Sequence, residues 1–322
     1  VKALITHDIE LAKEQLERGE VIGIPTESVY GLGANALHGE AVARIYKLKQ
    51  RPESNPLILH VENLQKASPY FHEFHDELMR LYEVFCPGPL TFLVPKTDLV
   101  PAYITAGSPL VAIRFPSHPL FQALLSVLEF PIAAPSANKY GSISATQAEQ
   151  VRDSFMDEIP LVLDGGACAF GLESTIVGMK DDAVVVYRLG SIDLDTLAVQ
   201  LGYIPKLINQ AADSPVAPGM VKFHYAPDTP LFYMDKHLIP HENTGYIFLK
   251  DIPNGFPEAQ CIALSKDGEL KEIGRNLYSV LRAMDKRGYR CLYIERPMEK
   301  GLGLTIIDRL NRATAKFSET KK

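Results

Sequence analysis

Residues 204–230, IPKLINQAADSPVAPGMVKFHYAPDTP, carry five prolines and little apolar periodicity. Proline locks φ and donates no backbone hydrogen bond, so such a stretch continues neither a helix nor a strand. On both sides of it, apolar residues alternate between the two-residue repeat of strands and the 3.6-residue repeat of helices. At roughly 100–200 residues per domain, a chain of 322 residues has room for two. The break predicts one domain over 1–204, a linker over 205–230 and a second domain over 231–322.

In the first domain the periodicity predicts helices over 8–19, 40–49, 73–85, 120–128, 146–155 and 194–201, with Thr146 as an N-cap. It predicts strands over 21–25, 57–61, 90–94, 110–115, 131–134, 161–163, 175–179 and 184–188. Lys180-Asp181-Asp182 between the last two reads as a hairpin turn, so the sheet is mixed rather than purely parallel. After the proline-rich stretch come strands over 231–234, 245–249, 261–264 and 291–295 and helices over 270–286 and 304–315. That alternation predicts a small parallel, Rossmann-like α/β domain.

Composition excludes several classes. Apolar residues make up 46% and the formal net charge is −6, which argues against a protein that coats nucleic acid but leaves room for a local basic pocket. No apolar run reaches the roughly 18–20 residues of a membrane span, and the polar N-terminus does not read as a signal peptide. Four scattered cysteines form no C-x-x-C pair, so reduced thiols in a cytoplasmic protein are expected rather than a zinc site.

Chemistry-bearing residues gather at predicted strand and helix ends. Thr26-Glu27-Ser28 leads into Gly31-Leu32-Gly33, which lacks the third glycine of a dinucleotide fingerprint; a glycine turn above Tyr30 and a ligand-contacting loop are both open. Lys47 and Lys49 close a helix, where cations complement the dipole, but Arg51 lies beyond it with a fork suited to phosphate or carboxylate. Asn55 precedes a proline, and His60 shares a strand face with Ile58. Arg114 sits inside an apolar strand and needs a protein carboxylate or a ligand anion beside it. Pro135-Ser136-Ala137-Asn138, Glu173-Ser174-Thr175 and Arg188 complete the set. Three arginines at strand ends of one domain suit a small anionic ligand held against a sheet.

The ordered set T-E-S-V-Y-G-L-G, K-x-R-P, S-N-P-L, I-R-F-P, P-S-A-N, L-E-S-T-I-V and Y-R-x-G resembles the YrdC family of threonylcarbamoyl-AMP synthases. P-G-M-x-x-x-H-Y-A-P and G-L-G-x-x-I-x-D-R-L-x-R-A resemble the longer, two-domain form. The resemblance covers nearly the whole chain. It departs at Pro135, where many relatives carry threonine. It implies a YrdC-like twisted mixed sheet with helices around a concave, positive cavity. It implies that L-threonine, bicarbonate or CO2, and ATP give L-threonylcarbamoyladenylate and pyrophosphate, for N6-threonylcarbamoyladenosine in tRNA.

Carried over by motif position, Lys49, Arg51, Asn55, Leu110, Ser136, Asn138, Ser144 and Arg188 are expected to bind ATP, with Lys49 and Arg51 central to catalysis. Tyr225 or His224, in the linker, is expected to close over the nucleotide as part of a lid. Ser28, His60, Arg114, Ala134 and Ser174 are expected to form the threonine side, with His60 as the candidate general base. Mg²⁺ is expected to accompany ATP, held by substrate oxygens and water, with no metal site made of protein ligands. The product is expected to pass to a downstream tRNA threonylcarbamoyl transferase. Three other classes compete: an RNA-binding module, a carbamoyl-transfer enzyme and a nicotinamide-dependent oxidoreductase.

Overall fold

The computed structural model describes residues 2–208, 225–235 and 238–318. By contacts these divide into two units. One holds residues 2–140 and 145–208, the other 141–144, 225–235 and 238–318. Pro218-Gly219-Met220 and His224 lie outside the described residues.

The first unit opens with β1 (Leu4–Thr6), α1 (Ile9–Glu17), β2 (Ile22–Ile24), β3 (Gly31–Asn35), α2 (Gly39–Lys49) and β4 (Ile58–His60). It continues through α3 (Leu64–Ala67), α4 (Asp76–Phe85), β5 (Leu90–Pro95), α5 (Ala102–Thr105), β6 (Leu110–Arg114), α6 (Pro119–Ser126) and β7 (Ile132–Ala133). Then come α7 (Ala148–Phe155), β8 (Leu161–Leu163), β9 (Thr175–Lys180), β10 (Ala183–Arg188), α8 (Leu194–Leu201) and β11 (Lys206–Leu207). The strands order as β1-β8-β2-β3-β7-β4-β6-β5-β9-β10-β11. Parallel pairs such as β4–β6 and β5–β9 alternate with antiparallel ones such as β5–β6 and β9–β10, so the sheet is mixed, as expected. The β9–β10 hairpin turns on Asp181 and Asp182, both with positive φ, which is the two-residue turn whose twist matches the strands it joins.

Local chemistry sets the element ends. Asp8 caps α1 by accepting from Leu11 N at 3.0 Å. Asp193 caps α8 by accepting from Thr196 N at 2.8 Å. At the end of α2, Arg51 N donates to Tyr46 O and Gln50 N to Lys47 O, while Gln50 is left-handed with φ 55. This paired arrangement satisfies the last carbonyls and turns the chain sharply, so Lys49 points inward and Arg51 follows at once.

The structure corrects several expectations. Residues 31–35 are not a turn but β3, paired on both sides with β2 and β7. Residues 4–6, unassigned from the sequence, form β1 on β8. Lys206 and Leu207, expected in the linker, form β11 on β10. Thr146 does not cap α7: Gln147 stands at that position without a capping side chain, and Gln150 Oε1 accepts instead from Thr146 N at 2.8 Å.

The second unit contains β12 (Leu231–Tyr233), β13 (Thr244–Phe248), β14 (Cys261–Ala263), α9 (Leu270–Asp285), β15 (Cys291–Ile294) and α10 (Leu302–Ser318). Its strands are parallel in the order β12-β15-β13-β14. Among the described residues no helix is long and apolar enough to cross a membrane.

Candidate active site

Two hydrogen-bonded clusters in the first unit collect most of the singled-out residues. The first forms where α2 ends. Lys49 is 1% exposed. Its Nζ donates to Ser136 O at 2.6 Å and Asn138 O at 2.5 Å. Two carbonyls thus stand in for water around a buried ammonium group. Burial, with Arg51 and Lys139 adding, holds the lysine pKa well below its ordinary value. Ser136 Oγ donates to Asn138 Oδ1 at 2.6 Å, and Tyr140 N donates to Lys49 O at 2.8 Å. Beside the helix end, Arg51 Nη2 donates to Asn55 Oδ1 at 2.5 Å and Pro56 O at 2.8 Å. Asn55 Nδ2 is buried without a hydrogen-bond partner. Pro135 still joins the strand pairing through its carbonyl, which accepts from Leu32 N at 2.8 Å.

The second cluster follows from strand register. His60 of β4 pairs with Arg114 of β6, and Arg114 with Thr91 of β5, which lines these side chains along one face. Arg114 finds a protein carboxylate: Nη2 donates to Glu27 Oε1 at 2.7 Å and to Ser28 Oγ at 2.8 Å. Thr91 Oγ1 shares a hydrogen bond with Ser174 Oγ at 2.7 Å. Arg188 Nη2 donates to Ser174 O at 2.9 Å and Ser174 Oγ at 3.0 Å. Arg114 Nε and His60 Nδ1 are both buried with no partner. Ala134 joins the clusters: its N donates to Ile58 O at 3.1 Å, and Ser136 follows two residues later.

Sequence reasoning missed Glu27 and Thr91 as site residues. The signal for Glu27 was present, since an arginine in an apolar strand demands a buried carboxylate and T-E-S-V-Y contains one. Thr91 has no sequence signal, because a lone threonine in an apolar strand is ordinary.

His60, the candidate general base, is buried. Burial, and then the charge of Arg114, push its pKa down to about 3 from 6.5, so the imidazole is neutral and weakly basic. The unfolded chain therefore binds a proton below pH ~6.5 that the folded chain refuses. Stability falls as pH drops from that value towards ~3, by up to about 1.4 kcal/mol per pH unit from this group. Denaturant titrations at pH 7 and pH 5 are expected to show His60→Asn losing less stability than wild type over that interval. Equal losses would refute the buried neutral assignment.

Other candidates lie elsewhere. Leu110 starts β6, four residues from Arg114, packed against an apolar cluster that includes Leu93, Ile176 and Tyr187. Ser144 and Tyr225 belong to the second unit. There Arg282 donates through Nε to Ser144 O at 3.3 Å and through Nη2 to Ile143 O. Tyr225, expected at the nucleotide, is 1% exposed. Its ring stacks on Tyr278 at 5.7 Å, and the Arg309 guanidinium lies 4.9 Å from its centre. Gly301-Leu302-Gly303 has a packing reason for its second glycine, because a Cβ on Gly303 would collide with Met298 O.

Comparison with known proteins places the chain in a family. The Sua5/YciO/YrdC family model, described as "Telomere recombination", matches residues 14–190. The chain belongs to this family. A second model, "Threonylcarbamoyl-AMP synthase, C-terminal domain", matches residues 192–315. The threonylcarbamoyl-AMP synthase of Pyrococcus abyssi is 35% identical, over 95% of this chain and 94% of its own. That of Bacillus subtilis is 34% identical, over 96% and 94%. The crystal structure of P. abyssi Sua5, a family member complexed with L-threonine, superposes with a TM-score of 0.90 at 33% identity, covering 98% of both chains.

Proposed function

We propose that this chain synthesises L-threonylcarbamoyladenylate from L-threonine, bicarbonate or CO2, and ATP, releasing pyrophosphate. The observation that carries the reading is the near-full-length likeness to threonylcarbamoyl-AMP synthases, one of them solved with L-threonine. It favours a synthase over an RNA-binding module, a carbamoyl-transfer enzyme or an oxidoreductase.

The threonine amine adds to the CO2 carbon and loses a proton, giving a carbamate. A carbamate oxygen then attacks the α-phosphorus of ATP. The bond from that phosphorus to the bridging oxygen breaks, and pyrophosphate departs. No protein nucleophile takes part. Catalysis is positioning and stabilisation of charge in a dry site.

Lys49 and Arg51 take the triphosphate, exchanging carbonyl partners for phosphate oxygens. Asn55, Ser136 and Asn138 hold the nucleotide beside them, and the Leu110 backbone and Ser144 are further ATP-binding groups. Arg188, bonded to Ser174, stands where the nucleotide and threonine subsites meet. Ser28, His60, Arg114, Ala134 and Ser174 bind threonine, with His60 a neutral hydrogen-bonding partner. Tyr225 or His224, in the linker, is the residue that reaches the nucleotide once ATP is bound. Mg²⁺ enters with ATP on phosphate oxygens and water. The product feeds a tRNA threonylcarbamoyl transferase.

Pyrophosphate release measured with single omissions tests the reaction. Release is expected to need threonine and bicarbonate together; release indifferent to threonine would reject it. Serine is expected to react about 10–100-fold less efficiently than threonine, because one missing methyl is worth only ~1–3 kcal/mol. Equal kcat/KM values for the two amino acids would rule out a shaped methyl pocket.

A further inference from the structure

We propose that Glu27 is a positioning residue for threonine: with Ser28 it holds the Arg114 guanidinium by Nη2 and leaves Nε–H ready for the substrate carboxylate. The inference rests on reading the Ser28–His60–Arg114 cluster as the threonine subsite.

Glu27 and Arg114 are both about 95% buried, with side chains 6% and 5% exposed. Nη2 makes two short contacts, to Glu27 Oε1 at 2.7 Å and Ser28 Oγ at 2.8 Å, and a longer one to Thr26 Oγ1 at 3.5 Å. Glu27 is itself fixed from two directions. Ser117 N donates to its Oε2 at 3.1 Å, and Phe170 N donates to its backbone carbonyl at 2.8 Å. Both carboxylate oxygens are therefore engaged, which fits a holder rather than a base that turns to meet substrate.

Arg114 Nε stays buried and unpartnered. Burying a donor without a partner is costly, and native proteins avoid it. An incoming carboxylate satisfies that donor through a charge-assisted hydrogen bond. The ion pair also cancels the arginine charge in the empty site. Threonine is then recognised by donors held in place more than by a bare positive charge. A purely structural ion pair would support the fold equally well but would not decide between a carboxylate and an amide.

The test compares L-threonine with L-threoninamide, which keeps the amine and hydroxyl but lacks the carboxylate. Pyrophosphate release gives kcat/KM for each in wild type, Arg114→Lys, Glu27→Gln and Glu27→Asp. ATP affinity is followed by calorimetry. Both Glu27 variants are expected to bind ATP as wild type does and to raise the threonine KM about tenfold. Their preference for threonine over the amide is expected to collapse towards that of Arg114→Lys, because a guanidinium no longer held by Glu27 does not keep Nε–H aimed at the carboxylate. Glu27→Asp keeps the buried charges paired and is decisive if Glu27→Gln fails to fold. Glu27 variants that keep the wild-type preference while Arg114→Lys loses it would overturn the positioning role and leave the subsite standing. An Arg114→Lys enzyme that also keeps the wild-type preference would remove the subsite itself.

Discussion

Lys49→Met is expected to lower kcat/KM for ATP by about two to three orders of magnitude, the usual cost of removing one preorganised charge-stabilising donor. Its melting temperature is expected to stay within about 4 °C of wild type. The two halves of this expectation have separate causes. Lys49 is buried at the end of α2 with its ammonium held between Ser136 O and Asn138 O. Methionine fills nearly the same volume and removes a costly buried charge, which offsets the two carbonyl contacts it forfeits. Activity has no such compensation, since no neutral side chain stabilises the charge that builds on the phosphates. Near-normal turnover in a folded Lys49→Met enzyme would show that Lys49 does not touch ATP.

Gly190→Ala is expected to destabilise by more than ~3 kcal/mol. A Cβ there would collide with backbone atoms of Glu173, Ser174 and Thr175. Backbone cannot rotate away as a side chain can, so the two segments must part. They are otherwise stitched closely: Ser191 N donates to Glu173 O at 3.0 Å, Ile192 N to Thr175 Oγ1 at 3.0 Å, and Thr175 Oγ1 to Ile192 O at 2.6 Å. Ser174 and Arg188 hang from this crossing, so any folded Gly190→Ala protein should also show a raised threonine KM. Denaturant unfolding with kinetics on the residual folded fraction measures both. A variant with wild-type stability would mean that the strands do not cross this closely.

Both residues belong to motifs visible in the sequence, but their reasons were legible to different degrees. Lys49 and Arg51 are local, because a helix end followed by X-Pro can be read along the chain. The role of Gly190 requires a contact with residues some fifteen positions earlier, which periodicity does not encode. The same limit hid β3. Gly31-Leu32-Gly33 has low strand propensity and becomes a strand because β2 and β7 offer partners on both sides. The short β1 and β11 exist only by parallel pairing with β8 and β10. Glu27 was half legible: the demand for its charge was written at Arg114, but the register joining them was not. The packing of Tyr225 was not legible either, because Tyr278 and Arg309, which enclose it, lie more than fifty residues away.

The most direct measurement is mass spectrometry of a reaction containing ATP, Mg²⁺, L-threonine and ¹³C-bicarbonate. The expected result is an adenylate carrying both threonine and the labelled carbon, formed together with pyrophosphate and absent when threonine is left out. A threonyl adenylate without the labelled carbon, or AMP and pyrophosphate formed without threonine, would contradict it.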